Sequence, residues 1–335
     1  MKLLNKRLFS LVLVGLVLAS MMTVVVPVQA LSATLHVGVG YPYADIQDAI
    51  DAATGGDTIL VHPGIYGPII VDRQLTIKGI NAFIEGSNLI NGWNAGVFVN
   101  TAGVILCGFT IQTTSQQYVI SIWVDSDNAR IMDNKVHATS TQAFIAYGIF
   151  VTGDGAYISN NEVHTDCYIG IYVDGKNARI MGNKVHAEGD YSTGIWVHSV
   201  GAYIACNKIN CQSGIFVKGD QVSIQRNTIN AEAMGIWLYN SSQSRVETNT
   251  ITGLTDTNYW ELNHAYGIYI QGDVTISKNN LLCDNTVTGS DVANSVGIGL
   301  NSLTSGNRLV LSAIRDVWTK IVDDGTGNML LANWL

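Results

Sequence analysis

Residues 146–187 read AYGIFVTGDGAYISNNEVHTDCYIGIYVDGKNARIMGNKVHA, and the second half of this stretch restates the first. Gly148-Ile-Phe-Val returns as Gly170-Ile-Tyr-Val, Ala156-Tyr-Ile as Ala178-Arg-Ile, and Asn161-Glu-Val-His as Asn183-Lys-Val-His. Each piece is short, rich in Ile and Val, and alternates apolar with other side chains, which is the pattern of a strand with one buried face. No helical period separates the pieces. Three short strands per repeat, joined by turns, predict a parallel β-helix whose coils stack about 4.8 Å apart.

The pattern continues in both directions. The Gly-Ile strand recurs as GVFV at Gly96, SIWV at Ser121, GIWV at Gly194, GIFV at Gly214, GIWL at Gly235 and GIYI at Gly267. Its third position is always aromatic: Phe98, Trp123, Phe150, Tyr172, Trp196, Phe216, Trp237 and Tyr269. Aromatic residues make up only 8% of the chain, so a fully aromatic column is not chance. Neighbouring side chains on a strand face opposite ways. With the flanking aliphatics inside, the aromatic column faces out, where an ordered apolar stripe marks a binding surface. A second anchor, Ile-x-x-Asn-x-(Val/Ile/Leu), places Asn134, Asn161, Asn183, Asn207, Asn227, Asn249 and Asn279 in steps of 27, 22, 24, 20, 22 and 30 residues. A period near 22 residues sets the coil length. These amides are expected to form a structural ladder at a bend, each bonded to the next coil.

The ends differ from the middle. Residues 1–30 have a basic start (Lys2, Lys6, Arg7), an apolar run and small residues at Val28-Gln29-Ala30, and read as a signal peptide. An uncleaved anchor is the alternative, and no later run is long and apolar enough to span a membrane. Both predict export to the periplasm, the cell surface or the medium. Leu35–Val39 reads as a strand and Ala44–Ala53 as a helix with Ile46, Ala49 and Ile50 on one face, a cap over the open end of the solenoid. The expected organisation is a signal peptide (1–30), a cap and first strand (31–66), the β-helix (67–313) and a C-terminal cap or tail (314–335). Without the first 30 residues, 15 Lys and Arg face 26 Asp and Glu, a net charge of −11. That balance argues against nucleic acid, which needs clustered cations. The five cysteines (Cys107, Cys167, Cys206, Cys211, Cys283) form no zinc-type spacing and read as free thiols.

The segment YPYADIQDAIDAATGGDTILVHPGIY (41–66), followed by IIVDRQLTIKGI (69–80), resembles the N-terminal cap and first coils of the pectin-lyase-like superfamily, over roughly residues 33–310. The Gly-Ile and Asn-x-Val repeats are similar to its right-handed β-helix repeats, to periplasmic copper-binding β-helix proteins and to exported surface β-helix proteins. The resemblance implies a right-handed parallel β-helix; it implies no single activity, because this fold carries many. The polygalacturonase-like, pectinesterase and pectate-lyase patterns are absent. The residues before each Gly-Ile strand (Tyr147, Ile169, Thr193, Ser213, Met234, Tyr266) include no acid, so the paired carboxylates of glycoside hydrolysis are missing.

Two constellations retain chemistry. Asp174, His198 and Lys218 follow Tyr172, Trp196 and Phe216 by two residues on consecutive coils. A base, an acid and a charge-stabilising Lys in a row suit proton abstraction next to a sugar carboxylate, as in a polysaccharide lyase or epimerase; a solvated polar strand end is the plain alternative. His137, His164 and His186 form an outward column with Asp166 and Glu188 two residues beyond the last two, a donor set for a divalent transition metal such as copper. Asp127, Asp154, Asp220 and Asp273 at turns suit calcium or ordinary turn chemistry. No motif requires a cofactor. The loop before Gly267 adds Trp260 to the aromatic side. Binding of a polysaccharide or cell-surface glycan by Trp123, Phe150, Tyr172, Trp196, Phe216, Trp237, Tyr269 and Trp260 is the first reading. The lyase or epimerase is the second. The third is a structural or adhesive surface protein that self-associates through the aromatic face.

Overall fold

The computed structural model of the chain describes residues 32–142, 145–166, 168–255, 264–290, 293–310 and 312–331. The N-terminal segment 1–30, Cys167, Trp260 and Trp334 lie outside the described residues.

The described chain is a parallel β-helix with three strands to a coil. One coil runs Arg130–Met132, Lys135–Ser140 and Ala146–Val151; the next runs Tyr157–Ser159, Glu162–Thr165 and Tyr168–Val173. Strands of successive coils pair in parallel and in register. Ile131 lies beside Ile158 and Ile158 beside Ile180; Val136, Val163 and Val185 line up in the same way, as do Ile149, Ile171 and Ile195. All of these side chains are fully or almost fully buried in one cluster that fills the lumen. The stack explains the sequence period: a β-branched residue at each inward position packs on its copy one coil away.

The corners are built on amides and left-handed residues. Asn134 Oδ1 accepts from the Phe109 N–H at 3.1 Å, while the Asn134 N–H and Nδ2 both donate to Asn161 Oδ1, and Nδ2 also donates to the Leu106 carbonyl. The same set repeats through Asn161, Asn183, Asn207, Asn227 and Asn249. Just before these amides stand residues with φ between 53° and 66°: Asp133, Asn160, Gly182, Cys206, Arg226, Thr248 and, one coil further, Asp284. The ladder does not pass to Asn279. Asn249 donates to Asn285, because the chain between them is longer and the coil closes at Asn285-Thr-Val. Asn279 is instead a left-handed corner residue (φ 57°). Its neighbour Asn280 belongs to a second ladder at another corner, Ser244 to Asn280 to Asn307 to Asn328.

The ends also depart from the expected boundaries. Thr34–Val37 already pairs with Thr58–Val61, so the solenoid begins inside the region expected to be a cap. Helix α1 (Ile46–Ala52) is N-capped by Asp45, whose Oδ1 accepts from the Gln47 N–H at 3.0 Å, and it buries Ile46, Ala49 and Ile50 in the lumen cluster. Asp57 ties this region together by accepting from the Ala33 and Thr54 N–H groups. These bonds hold its carboxyl below the usual carboxylate range. Residues 314–331 are not a separate tail. Ile314 lies inside Ala313–Arg315, paired with Thr286–Thr288, while Thr319–Asp323 and Met329–Leu331 add further strands to the stack. Among the described residues no helix is long and apolar enough to cross a membrane.

Candidate functional site

The glycine of each Gly-Ile strand interrupts the in–out alternation. A Cβ on Gly148 would strike Val163 Cγ1 and the Gly170 carbonyl oxygen, so only glycine fits there. Ile149 and Val151 face the lumen, whereas Tyr147 and Phe150 on either side belong to aromatic and aliphatic clusters outside it. The outer face of this sheet therefore carries two columns. One is the aromatic column. The other is the residue before each glycine, or before Ser121 in its place: Ile120, Tyr147, Ile169, Thr193, Ser213, Met234, Tyr266 and Val296.

The aromatic rings form an unbroken run from Phe98 to Tyr269. Centroid separations are 5.0 Å for Phe98–Trp123, 4.8 Å for the stacked Phe150–Tyr172 pair, 4.4 Å for Trp196–Phe216 and 6.2 Å for Trp237–Tyr269. The column faces out of the lumen, as its parity predicts, but it is not uniformly open. Trp123, Phe150, Tyr172 and Trp196 are half-buried; Phe216, Trp237 and Tyr269 are each 8% exposed. The reason is the second column. Met234, Tyr266 and Val296 fill the space beside Phe216, Trp237 and Tyr269 and form one cluster with them. Burial pushes the Tyr269 hydroxyl up to about 12, and that of Tyr147 up as well.

Between these packed zones the second column shrinks to Thr193 and Ser213. A groove of about 440 Å³ opens there. Tyr172, Trp196, Phe216, Trp237 and Tyr239 are its aromatic walls; His198, Lys218 and Gln271 bring polar groups. Two polar atoms in it are buried without a hydrogen-bond partner among the protein groups, Ser213 Oγ and Gln271 Oε1. Buried polar atoms are rarely left so. Thr193 and Ser213, which line the groove, are not among the candidates drawn from the sequence, where this column counts only as lacking acids. The signal was present: two small polar residues between Ile169 and Met234.

Asp174, His198 and Lys218 do sit side by side, their N–H groups bonded to the Val151, Val173 and Val197 carbonyls of the preceding coil. His198 Nδ1 is 3.7 Å from Asp174 Oδ1, and Lys218 Nζ stands 5.9 Å from the Tyr239 ring centre. His198 and Lys218 line the groove; Asp174 does not, and no carboxylate among the described residues does. Tyr239 donates its hydroxyl to Asp273 Oδ2 at 2.6 Å, which raises its pKa.

On another face of the solenoid, His137, His164 and His186 align on adjacent strands with ring centroids 5.5 and 5.1 Å apart. Burial, reinforced by His164 and Lys135, depresses the His137 pKa. The turn acids are bonded within the protein. Asp127, Asp154 and Asp220 accept from the N–H groups of Asp154, Lys176 and Ser242 one coil on, and Asp273 accepts from Tyr239. Cys107, Cys206, Cys211 and Cys283 are free thiols; burial pushes Cys211 up to about 12.

Residues 147–314 match the family model described as a right handed beta helix region. No curated protein sequence matches the chain. Among solved structures, DFA-IIIase from Arthrobacter chlorophenolicus A6, without its lid, superposes with a TM-score of 0.63 at 15% identity, over 88% of this chain and 94% of that one. The PL6 family polysaccharide lyase Pedsa3628 from Pseudopedobacter saltans gives 0.55 at 12% identity, over 84% and 75%. The Dettilon tailspike protein gives 0.53 at 16% identity, over 85% and 63%. At such identities the likeness is one of fold.

Proposed function

The chain belongs to the right-handed beta helix family, and from that premise we propose that it is an exported protein that binds a polysaccharide or cell-surface glycan in the groove over Thr193 and Ser213. The observation that carries this reading is the groove itself. Aromatic walls from four neighbouring coils flank two buried polar atoms, Ser213 Oγ and Gln271 Oε1, that lack partners. Sugar rings have apolar faces that stack on aromatic side chains and hydroxyls that satisfy such atoms. A fold neighbour named as a polysaccharide lyase supports the substrate class, and the character of residues 1–30 supports export. Of the aromatic column only Tyr172, Trp196, Phe216 and Trp237 line the groove, a shorter site than the full stripe.

The test is a glycan array with residues 31–335, followed by calorimetry on any ligand retained. Trp196→Ala is expected to weaken binding at least tenfold, and Thr193→Trp, which fills the groove, to abolish it. Retention of no glycan, or equal affinity in Thr193→Trp, refutes the reading.

The second reading, a lyase or epimerase, is favoured by one observation: His198 at the groove rim lies 3.7 Å from Asp174, and it and Lys218 each follow directly on paired strands that end at Val197 and Val217. An assay for unsaturated product on the retained glycan separates the two. Under catalysis Lys218→Ala removes turnover and leaves binding. The third reading, self-association through this face, predicts a concentration-dependent mass in light scattering that Thr193→Trp reduces.

A further inference from the structure

The imidazole column on the Asn-x-Val sheet is sorted by its geometry. His164, His186 and Glu188 each bring a ligand atom within 4.8 Å of the others. His137, although its ring centroid lies 5.5 Å from that of His164 at a 46° tilt, stays outside that group. We propose that His164, His186 and Glu188 form a binding site for a divalent transition-metal ion, on a different sheet from the aromatic groove.

The donor chemistry selects the class of ion. Two imidazole nitrogens and one carboxylate oxygen suit Zn²⁺, Ni²⁺ or Cu²⁺, whereas Ca²⁺ and Mg²⁺ prefer oxygen alone. The donors are held before any ion arrives. Their strands, Glu162–Thr165 and Lys184–Ala187, pair in register, and the Glu188 N–H is bonded to the Thr165 carbonyl. Each ring is also oriented by its own contacts. His164 Nε2 lies 3.0 Å from Asp166 Oδ1; His186 Nε2 lies 2.8 Å from Glu188 Oε1, with His186 Nδ1 against the Asn210 amide at 2.8 Å. Asp166, like His137, stays outside the group and orients the His164 ring through this contact.

The surrounding charge permits a cation. Lys184, the nearest basic residue in sequence, is paired with Glu162 at 2.6 Å. Lys135 and Lys208 remain on this side, balanced by Asp166 and Glu188, and Glu232 and Asp190 line the adjoining hollow.

Copper titration of the purified, metal-free protein by calorimetry, with electron paramagnetic resonance at saturation, tests the site. The wild type is expected to bind one Cu²⁺ with nitrogen splitting from two imidazoles. A His164→Asn/His186→Asn double variant is expected to lose that ion and its signal. The double variant should fold, because Asn210 and Asn230 already occupy this position in the next coils; an unchanged circular dichroism melt checks this. Glu188→Gln should weaken binding at least tenfold, and His137→Ala should leave it within twofold. Absence of binding by the wild type, an isotherm unchanged in the double variant, or a loss in His137→Ala equal to that in Glu188→Gln overturns the proposal.

Discussion

At the scale of single residues, the buried asparagines tie one coil to the next by side-chain hydrogen bonds. Asn183 shows why an amide is required. Its Oδ1 accepts from the Asn161 N–H and Nδ2, while its Nδ2 donates to Asn207 Oδ1 and the Ile158 carbonyl. Asn183→Ala leaves buried donors and a carbonyl without partners, each costing about 1–3 kcal/mol. A loss on the order of 3 kcal/mol is expected in urea denaturation, and Asn183→Asp should not rescue it, because a carboxylate cannot donate. His137 makes a different prediction. Burial and its neighbours His164 and Lys135 depress its pKa, against Glu162 and Asp166. The folded state thus holds the proton less tightly than the unfolded chain. The stability from the neutral ring is present above about pH 6.5, the ordinary histidine value, and is lost as pH falls through the depressed folded value. The melting temperature of the wild type should therefore fall more steeply below pH 6.5 than that of His137→Gln; parallel curves would show that the ring contributes nothing to this dependence.

At the scale of the element, the Gly-Ile strand decides both packing and site. Gly170 stands where a Cβ would strike Val185 Cγ1 and the Gly194 backbone oxygen, so a side chain there forces coils apart. Gly170→Ala is expected to cost about 1–3 kcal/mol, the usual range for overpacking, with a lower melting temperature as the readout. The same glycine turns the preceding residue outward, and the size of that residue then sets whether the face is closed or open. Met234 and Tyr266 close it; Thr193 and Ser213 open it. Two strand positions read together define the groove, and neither does so alone.

At the scale of the whole molecule, each coil contacts chiefly its two neighbours, so the ends carry the exposed edges. Helix α1 covers one end with Ile46 and Ile50 fully buried. At the other, Met329, Leu330 and Leu331 form a stacked strand whose side chains are exposed. Ile50→Glu buries a charge in the lumen or frees the helix. Either outcome should lower stability by more than about 3 kcal/mol and increase aggregation in light scattering, because the first coil is uncovered.

The repeat, the strand parity, the capping helix and six amides of the main ladder were legible in the amino-acid sequence. Each follows from local alternation or from a period, and stacking in register copies a local rule from coil to coil. Asn279 was misassigned because an equal-looking motif fell in a coil of altered length, and only pairing distinguishes Asn280 and Asn285 as the true rungs. The tail could not be told from another coil, since Ile314 and Thr319–Asp323 lie beyond the clear repeats and are placed by the strands they pair with. The outward direction of the aromatics is a property of one strand and was readable. Their burial is a property of how large the neighbouring column is, coil by coil, and only the tertiary structure decided that the open part of the face lies over Thr193 and Ser213. The grouping of Glu188 with His164 and His186, and not with His137, was likewise decided by side-chain directions that spacing does not encode.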